Sequence, residues 1–197
     1  MVRLHWVTLG SSLLGLIGAS ICLALGRSPF TREPWLDTSG IEAVLVSLVL
    51  GACIAGITIL ASRWTVRRFA WAQALHSSLR PIARDQSGAA LAWIAVASGI
   101  GEEIFFRGLL APLLGVVLSS LAFGLLHQVR GKGRWAWAAW AALLGASLAV
   151  VYGMTGHLIG PIVAHIAINA SNLRYLRDTA VDPVPPRRLG GLYRARS

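Results

Sequence analysis

The sequence predicts an all-α fold: a polytopic membrane helical bundle of about six transmembrane helices, with an interfacial helix between spans two and three. Of the 197 residues, 55% are hydrophobic and only 13% are charged, and the mean hydropathy is +0.64. The apolar residues are gathered into runs close to the roughly 20 residues that a bilayer requires. The charged residues fall mainly in the gaps between these runs. This composition is typical of an integral membrane protein.

Six apolar runs supply the predicted spans. They cover residues 7–25, 41–61, 89–106, 112–128, 135–154 and 158–173. The break between the third and fourth runs is placed at Arg107, Gly108 and Pro112, because charge, glycine and proline all disfavour an uninterrupted apolar helix. Residues 1–177 are therefore predicted to form one membrane-embedded domain.

The first run has a second interpretation, as a signal peptide. Arg3 precedes it, and Ala24 and Gly26 supply small residues near a possible cleavage site. The run is long for the apolar core of a signal peptide, so we favour an uncleaved membrane helix.

The connection between the second and third runs carries both aromatic and basic residues. Its apolar residues recur at helical spacing, which predicts an amphipathic helix lying on the membrane surface; the alternative is an ordinary basic loop that anchors two spans. These apolar residues are Trp64, Trp71, Leu75, Leu79 and Ile82.

The basic residues predict the orientation of the bundle. Net charge is +10, and 17 of the 18 basic residues are arginine. With six spans, all of them except Arg27, Arg32 and Arg107 fall on the same side as the N-terminus. Because basic loops stay inside, both termini are predicted to be cytoplasmic. No aromatic-interleaved basic surface or recognition motif indicates nucleic acid as a partner.

The segment 178–197 is predicted to be a disordered basic tail. It holds three prolines, two adjacent glycines and four arginines, and it is too polar to bury a core. Its arginines could contact anionic lipid headgroups.

The most informative stretch is 101–107, which places Glu102, Glu103 and Arg107 within an apolar run. One ionisable residue at the centre of a membrane helix costs about 2.5–3.5 kcal/mol on insertion scales, so three together indicate a functional site. Glu103 and Arg107 are four residues apart and can pair on one helix face. Glu102 lies about 100° around the helix and is the carboxylate freer for chemistry. The alternative is a buried ion pair that only joins helices.

Three further polar residues lie in apolar runs: His127, His165 and Asn169. His165 and Asn169 share one helix face. Either histidine alone could be a simple hydrogen bond between helices. Together with Glu102, the set comes from three spans and could converge on one watered pocket. There a carboxylate could take a proton from water, and imidazole and carboxamide N–H groups could stabilise an oxyanion.

No metal is predicted. The zinc-protease motif His-Glu-x-x-His is absent. The runner-up is a zinc site made by His127, His165 and Glu102, although their spacing defines no tetrahedron.

The polar residues form three ordered patterns: Glu102-Glu103-x-x-x-Arg107, Phe123-x-x-x-His127 and His165-x-x-x-Asn169. This set resembles the motifs of the CPBP intramembrane protease family. That family includes CAAX prenyl proteases of the Rce1 type and the bacteriocin-processing and self-immunity (ABI) relatives. The resemblance covers about 89–173, which would be the catalytic core.

The resemblance implies a role for each residue. Glu102 would be the general base that activates water, assisted by His127, while His165 and Asn169 would form an oxyanion hole. Glu103, Arg107 and Phe123 would support the site. The implied enzyme is a glutamate-dependent, cofactor-free endopeptidase in a bacterial inner membrane. Its substrate would be a membrane-associated peptide or protein, such as a bacteriocin leader or a sorting signal of the myxosortase kind.

Two other classes of function fit the same residues. A non-proteolytic binding, immunity or scaffold protein could use the polar groove to hold a partner's peptide. A small transporter could use buried Glu and His as a proton relay, although the sequence shows no paired half-repeats.

Overall fold

The computed structural model of the protein describes residues 4–129 and 133–181, and these residues are helical with short connections. No strand occurs among them. In chain order the elements are α1 (Leu4–Ala24), α2 (Gly40–Arg68), α3 (Ala70–Ala83), α4 (Gly88–Glu103), a π-helix (Ile104–Leu110), α5 (Ala111–Leu126), α6 (Arg134–Thr155) and α7 (Ile159–Asp178).

Four helical segments in the described part of the chain are long and apolar enough to cross a membrane. They are Trp6–Ala24, Gly40–Arg68, Gly88–Leu126 and Arg134–Thr155. Helix α7 is not among them; it carries His165, Asn169 and a charged last turn. The predicted all-α membrane bundle is confirmed.

The predicted break at Arg107, Gly108 and Pro112 is wrong. The chain stays helical through these residues: Arg107 and Gly108 lie in the π-helix, and Pro112 lies at the start of α5. The non-helical backbone is at Gly115, with φ 80° and ψ 166°, a region that only glycine adopts readily.

Gly115 reverses the chain. The rings of Phe106 and Phe123 have centroids 4.9 Å apart, whereas 17 residues of straight helix would separate them by about 25 Å. The segment Gly88–Leu126 therefore doubles back at Gly115, and residues 116–126 pack along the π-helix.

Contacts between helices define their directions. Gly15 and Gly18 of α1 lie against Gly101 and Phe105, so α1 runs parallel to the α4–π-helix segment. Ser98 of α4 and its last residue, Glu103, contact Asn169 and His165 of α7, so α7 runs antiparallel to α4.

Helix α2 runs parallel to α7 and is tied to it at both ends. Ser47 donates a hydrogen bond to the carbonyl of His157 at 2.9 Å and accepts one from the N–H of Gly160 at 3.1 Å. At the other end, Arg63 donates to Ser171 and Asn172. A Cβ on Gly51 would collide with the backbone of Gly160, so the two backbones touch, as small residues allow in membrane bundles.

The predicted amphipathic helix is present as α3, separated from α2 by an extended Phe69. It buries Ala72, Leu75, His76 and Ala83, and it packs on α2 and α7. Trp64 belongs to α2 instead. That α3 lies on a membrane surface stays a prediction. Most of the predicted disordered tail, from residue 182 onward, lies outside the described residues.

Candidate active site

The site forms where α4 passes into the π-helix and meets α5 and α7. Glu102 and Glu103 end α4, and Arg107 lies in the π-helix. His127 caps the C-terminus of α5, and His165 lies in the second turn of α7. The structure brings these five side chains together. A π-helix widens the backbone by one residue per turn and is frequent at functional sites.

Glu103 is the buried centre of the cluster, with no exposed surface. Its Oε1 accepts a hydrogen bond from Nη1 of Arg107 at 2.7 Å and lies 2.7 Å from Nδ1 of His165. The pairing predicted for Glu103 and Arg107 is confirmed. The bond to His165 was not predicted. It leaves Nε2 of that ring pointing into the site.

Glu102 occupies a different environment, with 12% of its side chain exposed. Its Oε1 accepts a hydrogen bond from the hydroxyl of Ser11 at 2.9 Å. Its Oε2 is buried and has no hydrogen-bond partner among the described residues. That oxygen lies 3.6 Å from Nε2 of His127 and 3.9 Å from Nε2 of His165, beyond direct hydrogen-bonding distance but within reach of a bridging water.

His127 is held by its own helix. Its Nδ1 lies 2.8 Å from the carbonyl oxygen of Phe123, and because a carbonyl only accepts, Nδ1 carries the proton. The ring also lies against the ring of Phe123, with centroids 4.2 Å apart. The ring of Phe123 also lies next to the guanidinium of Arg107, whose Cζ lies 4.2 Å from the ring centroid of Phe123. The aromatic ring therefore packs between a buried cation and the imidazole.

Asn169 is one turn along α7 from His165. Its Nδ2 donates to Oγ of Ser98 at 2.9 Å, and that hydroxyl donates to the carbonyl of Ile94 at 2.8 Å. One N–H of the carboxamide is thus bound to Ser98, which lies one turn before Glu102 on α4. The second N–H is left for another acceptor.

Ser11 is a member of the site that the sequence did not indicate. It is buried on α1, 91 residues from Glu102 in the chain. Serine is common in membrane helices and carries no motif here. Only the close approach of α1 to α4 at Gly101 brings it to the carboxylate.

No group of three His, Cys, Asp or Glu side chains within 4–129 and 133–181 has an arrangement that could hold a metal ion. The runner-up ligands face one another across 3.6 Å from Oε2 of Glu102 to Nε2 of His127 and 3.9 Å to Nε2 of His165. Neither separation is a direct hydrogen bond.

Comparison with known proteins bears on the same part of the chain. Residues 85–171 match the model of the family described as type II CAAX prenyl endopeptidase Rce1-like. No curated protein and no solved structure matches the chain. The matched residues include Glu102, His127, His165 and Asn169, but not Ser11.

The match agrees with the resemblance inferred from the three motifs. The matched family is a family of proteases, and the long apolar helices indicate an integral membrane protein. Through the segment 85–171, which carries most of the site, the chain is similar to the Rce1-like type II CAAX prenyl endopeptidase family.

Proposed function

We propose that this protein is a glutamate-dependent intramembrane endopeptidase that cleaves a membrane-associated peptide or protein. Glu102 acts as the general base on a water molecule, and His127 assists it. His165 and Asn169 stabilise the oxyanion, while Glu103, Arg107 and Phe123 hold these groups in place. No metal or other cofactor takes part.

One observation carries the proposal. Oε2 of Glu102 is buried without a hydrogen-bond partner among the described residues and faces two imidazole Nε2 atoms. An unpaired buried carboxylate oxygen is costly, so this oxygen calls for a partner such as a bound water. A water between these three atoms could donate a proton to Oε2 and direct its oxygen toward a peptide carbonyl.

The contacts of the two histidines support separate roles for them. Because a carboxylate only accepts, Nδ1 of His165 donates to Oε1 of Glu103. Nε2 of the same ring faces Glu102, and a proton on this nitrogen would be donated to the oxyanion.

His127 differs because its Nδ1 proton is committed to the carbonyl of Phe123. In the neutral ring, Nε2 is then an acceptor that can hold the attacking water next to Oε2 of Glu102. The second N–H of Asn169 completes the oxyanion donors. The tetrahedral intermediate collapses when the proton held by Glu102 passes to the leaving amine, so protons balance over one cycle.

The substrate class follows from the position of the site. Its carboxylates lie well inside helices that are apolar enough to cross a membrane, so the scissile bond must be in a segment that enters the bilayer or lies at its surface. We place the protein in a bacterial inner membrane with both termini in the cytoplasm, and we propose leader peptides or C-terminal sorting signals as substrates.

The test is Glu102→Gln, which keeps the shape of the side chain but cannot accept a proton. Purified protein in detergent is given two quenched fluorescent peptides, one with a farnesylated CAAX end and one with a double-glycine leader. In parallel, membrane-peptide profiles are compared between cells with wild type and with the variant. We expect Glu102→Gln to lower cleavage by at least about a hundredfold. Glu42→Gln, an exposed carboxylate in the first turn of α2, is the matched control and should cleave normally.

Cleavage by Glu102→Gln at the wild-type rate would contradict the general-base role. If no peptide differs between the two cell lines while Glu102→Gln keeps the biological effect of the gene, the binding or scaffold function is correct instead. Proton-coupled uptake into proteoliposomes without peptide cleavage would support the transporter.

A further inference from the structure

The first helix contributes directly to the site, although it lies outside the segment that matches the protease family. The hydroxyl of Ser11 donates a hydrogen bond of 2.9 Å to Oε1 of Glu102. Ser11 is 5% exposed, so water competes little for this bond.

The packing around Ser11 is built for close approach. A Cβ on Gly101 would collide with the backbone carbonyl of Ser11, and a Cβ on Gly15 would lie 2.7 Å from Cα of Gly101. Glycine at both positions lets the two backbones touch. This contact brings a short serine side chain within hydrogen-bonding distance of a carboxylate on the next helix.

The bond distinguishes the two oxygens of Glu102. Oε1 is occupied by Ser11, whereas Oε2 faces His127 and His165. Without the hydroxyl, the carboxylate could rotate about its last bond, and either oxygen could turn away from the imidazoles.

We infer that Ser11 is a positioning residue for Glu102: it orients the carboxylate so that Oε2 faces the imidazoles. This inference rests on the proposed role of Glu102 as general base. It makes α1 a functional part of the protease, in addition to its role in packing.

The kinetic test compares three variants on whichever quenched peptide the wild-type protein cleaves. Ser11→Ala should lower kcat by about tenfold to a hundredfold and leave KM within about twofold, because the lost hydrogen bond contacts the base and not the substrate. Ser11→Thr keeps a hydroxyl and should recover most of the rate. Ser12→Ala, at an exposed neighbouring position, should match wild type.

A second measurement does not depend on cleavage. Dicyclohexylcarbodiimide reacts with carboxyl groups in apolar surroundings, and mass spectrometry locates the adduct. Because Glu102 without its hydrogen bond from Ser11 can turn toward the reagent, labelling of Glu102 should rise by about threefold or more in Ser11→Ala and stay at the wild-type level in Ser11→Thr. Glu102→Gln identifies the signal that belongs to this residue.

The outcomes separate the two proposals. Wild-type kcat and labelling in Ser11→Ala overturn the role of Ser11, even if Glu102→Gln is inactive. Complete loss of cleavage in both Ser11→Ala and Ser11→Thr, with unchanged labelling of Glu102, also overturns it, because the rate would then be lost without any change at the carboxylate. If wild type cleaves neither peptide, the labelling alone decides whether Ser11 controls Glu102.

Discussion

Oε1 of Glu103 lies 2.7 Å from Nδ1 of His165, and both side chains are almost fully buried. The same oxygen accepts a hydrogen bond from Arg107. One carboxylate therefore joins the end of α4, the π-helix and α7. Removing its charge would leave a buried guanidinium without its counter-ion, which costs more than the loss of an exposed ion pair.

We expect Glu103→Gln to destabilise the protein strongly. Breaking a buried pair from one side typically costs about 3–5 kcal/mol of unfolding free energy. Thermal unfolding of the purified protein in detergent measures the effect. Asp85→Asn removes an exposed carboxylate that pairs with Arg84 and should leave the melting temperature unchanged. A Glu103→Gln variant that melts with wild type would show that the pair contributes no net stability.

The local parts of the site could be predicted from the sequence. The pairing of Glu103 with Arg107 follows from their spacing on one helix. The meeting of Glu102 with His127 and His165 was predicted from the cost of polar groups in lipid, which turns them toward the interior of the bundle. The structure adds the tautomer of His127, since its Nδ1 proton goes to the carbonyl of Phe123.

Other features depend on tertiary contacts that leave no pattern in the sequence. Apolar residues continue on both sides of Gly115, and glycine is frequent in membrane helices, so nothing marks this residue as the point where the chain reverses. Ser11 likewise belongs to no sequence motif, and it reaches the site only because α1 packs on α4 at Gly101. The sequence placed the break at Arg107 because a charge usually ends a span, whereas here that charge is neutralised inside the bundle.

The contact between α1 and α4 gives a second prediction. In Gly101→Ala the new Cβ would collide with the backbone of Ser11, so the helices must separate. We expect a loss of about 1–3 kcal/mol in unfolding free energy and a fall in peptide cleavage. Gly10→Ala on α1, the other helix of this contact, meets no atom within 4 Å and is the matched control. Equal melting temperatures and equal cleavage rates for the two variants would show that α1 and α4 do not touch closely.

The predicted orientation can be tested by cysteine labelling. In a background without Cys22 and Cys53, Glu33→Cys and Asp85→Cys place single thiols at exposed positions in connections at opposite ends of the bundle. Because the basic connections should face the cytoplasm, a membrane-impermeant maleimide should label Glu33→Cys in intact cells. It should label Asp85→Cys only after the cells are broken. The reverse pattern would invert the topology.

A metal-free mechanism predicts less than about 0.1 zinc ions per chain in purified, active protein, since a required catalytic metal is bound stoichiometrically. Elemental analysis before and after treatment with a chelator measures this, and cleavage by the treated protein should be unchanged. Zinc is the metal to test because Nδ1 of His127 and Nδ1 of His165 each have a hydrogen-bond partner. A histidine that binds a metal through one ring nitrogen usually has its other nitrogen held in this way.

The histidine variants decide between the two mechanisms. If His127 and His165 hold water and an oxyanion, His127→Ala and His165→Ala should lower kcat without changing the metal content. If they are ligands, one stoichiometric zinc in the wild type should be lost in each variant, and added zinc should restore cleavage after chelation. Glu102→Gln would then lower metal affinity as well as the rate, because the same oxygen that faces both imidazoles would be a third ligand.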